Sequence, residues 1–139
     1  MAHWLVKSEP EKWSWEKQAA AGAKGTHWDG VRNHSAKLHL MAMKLGEQAF
    51  FYHSNEGKAV VGIVEVIKLF YPDPSDASGK FGMVDFKAVQ AFKNPVTLDV
   101  IKAQPKLAKM VLVNNSRLSV QPVADDEWKL ICKMGGVAA

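Results

Sequence analysis

The chain has 139 residues, of which 47% are hydrophobic and 23% charged, and these proportions are typical of one packed domain. No apolar stretch approaches the roughly 20 residues of a membrane-spanning helix, and the first ten residues lack the features of a secretory signal. A single cysteine, Cys132, cannot form an internal disulfide. We therefore expect a cytoplasmic protein that is not bound to a membrane.

The net charge of +4 arises from 18 Lys and Arg residues against 14 Asp and Glu residues. This excess of basic residues favours an anionic partner. Between Phe86 and Leu118, six basic residues accompany a single acidic residue, Asp99. The stretch fits either a solvated lysine surface or a stripe of side chains that faces phosphates.

The first third of the chain predicts one strand and two helices. β-Branched and aromatic residues predict a strand over residues 3–7, which Pro10 follows. We expect Ser14 to cap a short helix that runs to about Ala23, and Asn33 to cap the next helix. In that second helix an apolar stripe recurs at three- and four-residue spacing and is expected to face the core: Leu38, Met41, Ala42 and Leu45.

The middle of the chain predicts three strands, over residues 48–53, 59–70 and 81–92. β-Branched and aromatic residues dominate all three, and Gly57 marks a turn between the first two. Because these strands follow one another instead of alternating with helices, the pattern indicates an α+β fold with a small mixed sheet or barrel.

The last third predicts two more helices and one strand. We expect Thr97 to cap a helix over residues 98–104 and Asp125 to cap a closing helix that ends at Met134. A final strand is predicted over residues 118–123.

Several kinds of chemistry lack their motifs. The sequence has neither a glycine-rich dinucleotide fingerprint nor a phosphate-binding loop. His34 and His39 lie five residues apart, about 140° around a helix, and no second cysteine completes a zinc site. No serine occupies a nucleophile elbow. We therefore expect no cofactor, no metal and no catalytic residue.

Four of the five tryptophans lie within the first 28 residues. We expect Trp4, Trp13 and Trp128 to lie in the core, because an indole ring buries a large apolar area. Trp28 begins a segment, WDGVRN, that contains a glycine, a charge pair and a helix cap. A loop tryptophan of this kind is expected to offer a flat face to a base.

Polar residues cluster at predicted strand ends. Lys7, Ser8 and Glu9 precede Pro10, and a carboxylate held there can accept a hydrogen bond from an exocyclic amine, as Asp and Glu do from cytosine. In the segment over residues 51–55, alternation places Tyr52 and Ser54 on one face and His53 on the other. Together with the aromatic residues and the cations, these groups are what a pocket for an extruded base uses.

Six segments carry a resemblance to a known family: WLVKSEP (residues 4–10), WSW (13–15), WDGVRN (28–33), FYHSN (51–55), YPDP (71–74) and LSVQPV (118–123). They resemble the EVE domain family of the PUA-like group, over nearly the whole chain. The resemblance implies that residues 1–139 form a single EVE (PUA-like) domain, a mixed β-barrel flanked by short helices. It also implies a binding module, not an enzyme, that recognises a modified and flipped base in DNA or RNA, notably modified cytosine in DNA.

The resemblance implies a base-binding pocket formed by these residues: Lys7, Ser8, Glu9, Trp28, Gly30, Val31, Asn33, Tyr52, His53, Ser54 and Ser119. Phosphate contacts are expected from a second set of basic residues: Arg32, Arg117, Lys87 and Lys93. We expect a monomer whose partner is DNA or RNA with modified bases. Two alternatives stay open: a small hydrolase with His53 or Glu9 as its general base, and a module that binds a free nucleoside.

Overall fold

The computed structural model describes residues 2–55 and 57–138, and a six-stranded sheet forms its centre. The strands in chain order are β1 (His3–Ser8), β2 (Thr26–His27), β3 (Gln48–His53), β4 (Ala59–Pro72), β5 (Gly82–Thr97) and β6 (Val120–Val123). In space they run β2-β5-β4-β3-β1-β6. β1 is parallel to β3, and the other neighbouring pairs are antiparallel. This mixed sheet confirms the α+β prediction.

Five short α-helices flank the sheet: α1 (Trp15–Ala20), α2 (His34–Ala42), α3 (Leu98–Ala103), α4 (Val111–Asn114) and α5 (Asp125–Met134). Among the described residues there are two 3-10 turns: Gly22–Lys24 leads from α1 to β2, and Pro105–Leu107 joins α3 to α4. None of the helices in the described part of the chain has the length and apolar character needed to cross a membrane.

The three predicted N-caps at Ser14, Asn33 and Thr97 are confirmed. Each side-chain oxygen accepts a hydrogen bond from a backbone N–H in the first turn of its helix, at 3.3, 3.0 and 3.3 Å respectively. The prediction for Asp125 is wrong by one residue. Ala124 is the N-cap of α5, and its N–H donates to the carboxylate of Glu127, so Asp125 is the first helical residue.

The two faces of the sheet carry separate cores. On one face, α5 packs over the sheet, and we call this the closed core. It includes Leu5, Phe50 and Tyr52 from the sheet and Trp128 and Ile131 from α5. The cleft-side core consists mainly of residues from the opposite face of the same strands and from α2: Trp4, Val6, Trp28, Val31, Ala36, Leu40, Met43, Ala49, Phe51, Val64, Val66, Val84, Phe86, Leu118 and Val120. Alternation along β1 and β3 therefore separates the two cores, because successive side chains of a strand point to opposite faces.

The apolar stripe predicted for α2 is wrong. Leu38, Met41 and Leu45 are 63%, 52% and 54% exposed, and Ala42 is also exposed. The buried residues of this region are Ala36, Leu40 and Met43. These residues are spaced at four and three positions as well, so the helical period fits either set. The small Ala36 side chain allows the helix to approach the sheet closely on that side.

Other differences concern short or bent elements. The structure contains β2 and α4, which the sequence pattern did not predict, and β5 continues to Thr97. The pairing of β4 with β5 shifts register at four places. No pairing joins β2 to β6 within residues 2–55 and 57–138, so backbone pairing does not close the sheet into a barrel.

Candidate functional site

A cleft of about 430 Å³ opens where the end of β1 lies near β2. Three segments line it, namely the end of β1, the turn that follows, and β2 with its loop: Lys7, Ser8, Glu9, Lys12, Trp13, Thr26, His27, Trp28, Asp29 and Gly30. The structure therefore brings together five of the predicted pocket residues: Lys7, Ser8, Glu9, Trp28 and Gly30.

Backbone hydrogen bonds fix the end of β1. The N–H of Lys7 donates to the carbonyl of Ser119, and the carbonyl of Ser8 accepts from the N–H of Ser54, both at 2.9 Å. The Ser8 hydroxyl donates to the carbonyl of Trp13 at 2.6 Å. This last bond folds the turn over residues 9–13 back against β1, so that the turn forms one wall of the cleft.

Both signs of charge meet in the cleft. Glu9 is the predicted reader of an exocyclic amine; its side chain is 38% exposed and its Oε2 lies 3.5 Å from Nζ of Lys12. The Nζ of Lys7 donates to the carbonyl of Ser116 at 2.7 Å, and burial lowers the pKa of Lys7. His27 and Asp29 face each other across 3.8 Å on the opposite wall. The cleft can therefore offer both acceptors and donors to a polar ring.

Trp28 is more buried than its sequence context predicts. It is only 7% exposed and belongs to the cleft-side core, where it packs edge-to-face with Phe51 and Phe86 at ring-centre distances of 5.5 Å. The backbone N–H of Trp28 donates to the carbonyl of Val84 at 2.8 Å, next to β2. Only a small part of its surface remains available to the cleft.

Trp13, predicted as a core residue, is half-buried and lines the cleft. Its Nε1–H donates to Oε1 of Gln18 at 2.8 Å, and Nε2 of the fully buried Gln18 donates to the carbonyl of Phe86 at 3.0 Å. The sequence pattern did not indicate that Trp13 lines the cleft. Its position in the turn directly after Glu9 and Pro10 was the available signal.

Asp73, in the loop after β4, supports the far wall of the cleft. Its buried carboxylate accepts from the N–H of Gly30 at 2.9 Å, from Nη1 of Arg32 at 3.2 Å and from the hydroxyl and N–H of Ser75 at 2.6 and 2.8 Å. Gly30 has a φ of +80°, which favours glycine at this position. Burial opposes ionisation of Asp73, but these hydrogen bonds outweigh it and lower the pKa of Asp73 to about 2.

Asp73 was likewise not predicted as a site residue. The available signal was an Asp followed two residues later by Ser in a proline-containing loop, a pattern typical of an Asx turn. The same contacts engage Arg32, because its Nη2 also donates to the hydroxyl of Ser75 at 2.9 Å.

The other six predicted pocket residues do not line the cleft: Val31, Asn33, Tyr52, His53, Ser54 and Ser119. Val31 is buried in the cleft-side core, and the side-chain Oδ1 of Asn33 caps α2 by accepting from the N–H of Ala36. Tyr52 is only 3% exposed and lies in the closed core. Its ring therefore has no open face for a base.

His53 lies on the opposite face from Tyr52, as alternation predicts. Its Nε2 accepts a hydrogen bond from the backbone N–H of Trp15 at 3.1 Å, and its ring packs edge-to-face on Phe51. Burial lowers the pKa of His53, and the nearby carboxylate of Glu16 acts in the opposite direction. Because Nε2 is occupied by the start of α1, the ring is used structurally.

The four predicted phosphate-binding residues lie in different surroundings. Arg117 is exposed and follows Ser116, whose carbonyl contacts Lys7 of the cleft. Lys87 lies 3.5 Å from the carboxylate of Glu65. Lys93 is exposed, and its stem lies beside Gly136 at the end of α5. The structure thus brings Arg117 and Arg32 close to cleft-lining segments and places Lys93 at the far end of β5.

Two further features bear on reactivity. Across residues 2–55 and 57–138, no three His, Cys, Asp or Glu side chains gather closely enough to hold a metal ion. Cys132 is buried, and burial raises the pKa of its thiol to about 11. A protonated, buried thiol is a packing residue and not a nucleophile.

A mixed six-stranded sheet with short flanking helices and a polar, aromatic cleft at a strand end defines a small ligand-binding domain. The family model described as the EVE domain matches residues 2–134. The chain therefore belongs to the EVE domain family.

Two known proteins illustrate the similarity. Human thymocyte nuclear protein 1 is 36% identical over 96% of this chain and 73% of its own length. Its crystal structure in complex with DNA containing 5-methylcytosine covers 100% of both chains, with a TM-score of 0.91 and 34% identity. A crystal structure of a protein from Agrobacterium tumefaciens has a TM-score of 0.96 and 54% identity, and covers 99% of this chain and 95% of its own.

A more distant structure shows the same fold. The YTH domain of the MRB1 protein from Zygosaccharomyces rouxii has a TM-score of 0.58 at 18% identity, and covers 99% of this chain and 88% of its own. At that identity the similarity concerns the fold alone.

Proposed function

We propose that this protein is a nucleic-acid-binding module that recognises a modified, flipped base in its cleft, with modified cytosine in DNA as the first candidate and a modified base in RNA as the second. The observation that carries the proposal is the cleft itself, where two indoles, two carboxylates and two lysines line one cavity. The similarity to a human protein crystallised with DNA containing 5-methylcytosine supports this choice of ligand.

Each group has a defined role in the proposed mechanism. Stacking on an aromatic ring offsets the cost of extracting a base from its stack by about 1–3 kcal/mol. The Glu9 carboxylate accepts from an exocyclic amine such as cytosine N4, and Ser8 and Gly30 border the same space. An added methyl group contributes only about 1–3 kcal/mol of selectivity in an apolar niche, so moderate affinity for a single site is expected.

The phosphate backbone is the second part of the proposed ligand. Lys7 and Lys12 line the cleft, and Arg117 and Arg32 lie on segments next to it. Cations in these positions attract and orient the backbone without reading the sequence, so their contribution weakens as salt is added. Lys87 remains a more peripheral candidate, because Glu65 neutralises part of its charge.

We also propose that the curved sheet forms a PUA-like mixed β-barrel, although backbone pairing within residues 2–55 and 57–138 does not close it. Four register shifts interrupt the pairing of β4 with β5, and such irregularities bend strands and increase their twist. Curvature of this kind brings the ends of β1 and β2 close enough to share a cleft although they are not neighbours in the sheet.

We propose further that the protein acts as a monomer, without metal or membrane, and binds without catalysis. His53, one of the two side chains considered as a general base, accepts a hydrogen bond from the backbone N–H of Trp15. A cytoplasmic location is proposed on the cysteine content, since the one thiol is buried and reduced.

The test is a binding screen with oligonucleotides that differ in one base: cytosine, 5-methylcytosine and N6-methyladenosine, each in DNA and RNA, at two salt concentrations. We expect tighter binding to one modified oligonucleotide and steep loss of affinity with salt. Equal binding of all oligonucleotides would refute the reader assignment. A flat salt response with tight binding of the free nucleoside would support the nucleoside module, and a mass change in recovered oligonucleotide would support an enzyme.

A further inference from the structure

The two tryptophans that line the cleft differ in accessibility. Trp28 is 7% exposed and enclosed by Phe51 and Phe86 in the cleft-side core. Trp13 is half-buried: it packs against that core and also lines the cleft. Stacking requires an open ring surface, and Trp13 offers more of it.

The indole of Trp13 is held in one orientation. Its Nε1–H donates to Oε1 of Gln18 at 2.8 Å. Gln18 is fully buried, and its Nε2 donates in turn to the carbonyl of Phe86 at 3.0 Å. Both ends of the Gln18 amide are therefore used, which fixes its orientation and, through it, that of the Trp13 ring.

The backbone of Trp13 is held as well. Its N–H donates to the carbonyl of Glu9 at 3.0 Å, and its carbonyl accepts from the hydroxyl of Ser8 at 2.6 Å. Trp13 and Glu9 thus belong to one hydrogen-bonded turn and line one cleft. A ring surface that is fixed before binding loses little freedom when a ligand enters, and the same turn places Glu9 beside it.

We infer that Trp13 is the stacking surface for the bound base and that Gln18 is its positioning residue. This inference rests on the proposed function and makes it more specific, because it assigns the stacking contact to Trp13 and leaves Trp28 as a core residue. The ligand class is a planar nucleobase with an exocyclic amine, stacked on the Trp13 ring while Glu9 accepts from that amine.

The first experiment measures affinity for an oligonucleotide that the wild-type protein binds in the screen, with 5-methylcytosine DNA as the initial probe. We expect Trp13→Ala to weaken binding by about 5- to 150-fold, the range that corresponds to loss of one stacked base. Trp13→Phe keeps a smaller ring and should lose less. Unchanged affinity of folded Trp13→Ala would overturn the inference while leaving the proposed function intact.

Trp15 supplies a matched control two residues away. It is also half-buried, but it packs on Phe51 and covers Gly62 of β4 instead of lining the cleft. We expect Trp15→Phe to bind the oligonucleotide with an affinity within about twofold of wild type. The affinity is measured at a temperature at which thermal melting shows that both proteins are folded. Equal losses in Trp13→Phe and Trp15→Phe would contradict a specific role for Trp13.

The role of Gln18 is tested by a double-mutant cycle. Gln18→Met should weaken binding severalfold in the wild-type background, and it should have no further effect in the Trp13→Ala background, because it acts only through the orientation of the indole. Additive losses would show that Gln18 affects binding independently of Trp13 and would remove its positioning role.

A measurement on the unmodified protein keeps the inference testable if a variant fails to fold. The indole N–H resonance of Trp13 in an NMR spectrum should shift when the oligonucleotide that the protein binds is added. The resonance of Trp128 in the closed core should not shift. A Trp13 resonance that stays unchanged while the oligonucleotide binds would overturn the inference. If wild type binds no oligonucleotide, the proposed function itself fails.

Discussion

The two faces of the sheet use tryptophan in opposite ways. On the closed core, Trp128 is 2% exposed, stacked on Phe50 at 3.9 Å and on His3 at 4.2 Å. On the cleft-side core, Trp13 is half-buried and its indole N–H is bound by a buried glutamine. The first arrangement maximises buried area, whereas the second fixes a ring and leaves part of it open.

This difference teaches how one small domain combines stability with binding. Elements α3, α4 and α5 cover the closed core with apolar side chains, including Ile101, Leu112 and Ile131. The cleft-side core ends at a wall built from hydrogen-bonded turns, with Ser8, Gln18 and Asp73 as the polar groups that hold it. We therefore expect substitutions on the first face to affect stability and those on the second to affect binding.

The largest expected effect tests the stabilising face. Trp128→Ala removes a ring stacked on two others, and we expect the free energy of unfolding to fall by about 3–5 kcal/mol. Urea denaturation measures the loss. Below the melting temperature, the folded fraction should bind oligonucleotide with wild-type affinity. Lost affinity in folded Trp128→Ala would break the division between the two faces.

The sequence predicted the features that depend on local interactions. Ser14, Asn33 and Thr97 cap helices through N–H groups three residues away, so neighbouring residues suffice to identify them. β3 and β4, predicted over residues 48–53 and 59–70, were recognisable because β-branched and aromatic residues fill both faces.

What the sequence could not predict depends on partners distant in the chain. Gln18 donates to Phe86, 68 residues away, and Asp73 accepts from Gly30, 43 residues away. Which tryptophan stays half-open is decided by such contacts and by the packing of Phe51 and Phe86 around Trp28. Spacing along the chain carries no information about either.

The next prediction tests the far wall of the cleft. Asp73→Ala leaves the N–H of Gly30 and the guanidinium of Arg32 without their shared acceptor, and we expect a loss of about 2 kcal/mol in unfolding free energy. Because Gly30 lines the cleft, affinity should fall as well. Ser78→Ala, in the same loop but with a hydroxyl that contacts only Asp76 and the N–H of Lys80, is the control and should bind normally. Wild-type binding by Asp73→Ala would separate Asp73 from the site.

Acid unfolding is expected to show a smaller contribution from the same carboxylate. The folded pKa of Asp73, about 2, lies below its ordinary value of 3.8. The stabilisation from ionised Asp73 is therefore complete above about pH 4 and is lost as the pH falls through 2. Asp73→Asn should flatten the pH dependence of stability in this window relative to wild type, measured by urea denaturation at each pH. Parallel curves for the two proteins would contradict the lowered pKa.

The smallest expected effect is a change in oligonucleotide affinity. It distinguishes a cation near the cleft, Arg117, from one at the far end of β5, Lys93. Arg117 is exposed next to Ser116, the residue that Lys7 contacts, so it is placed to meet a phosphate beside the cleft. Arg117→Ala should weaken binding about two- to fivefold for modified and unmodified oligonucleotides alike, and should reduce the salt dependence by about one charge.

Lys93 is the comparison for this prediction. It lies seven residues beyond Phe86 on β5, up to about 23 Å along the strand, beside Gly136 at the end of α5. Since Phe86 is paired with Thr26 of the cleft, we expect Lys93 to lie too far along β5 to contact a phosphate next to the bound base. Lys93→Ala removes the same charge. With a short oligonucleotide near 0.15 M salt, where screening limits the reach of a charge to about 8 Å, it should change neither the affinity nor its salt dependence. Equal effects of Arg117→Ala and Lys93→Ala would mean that net charge, not the position of the cleft, directs the backbone.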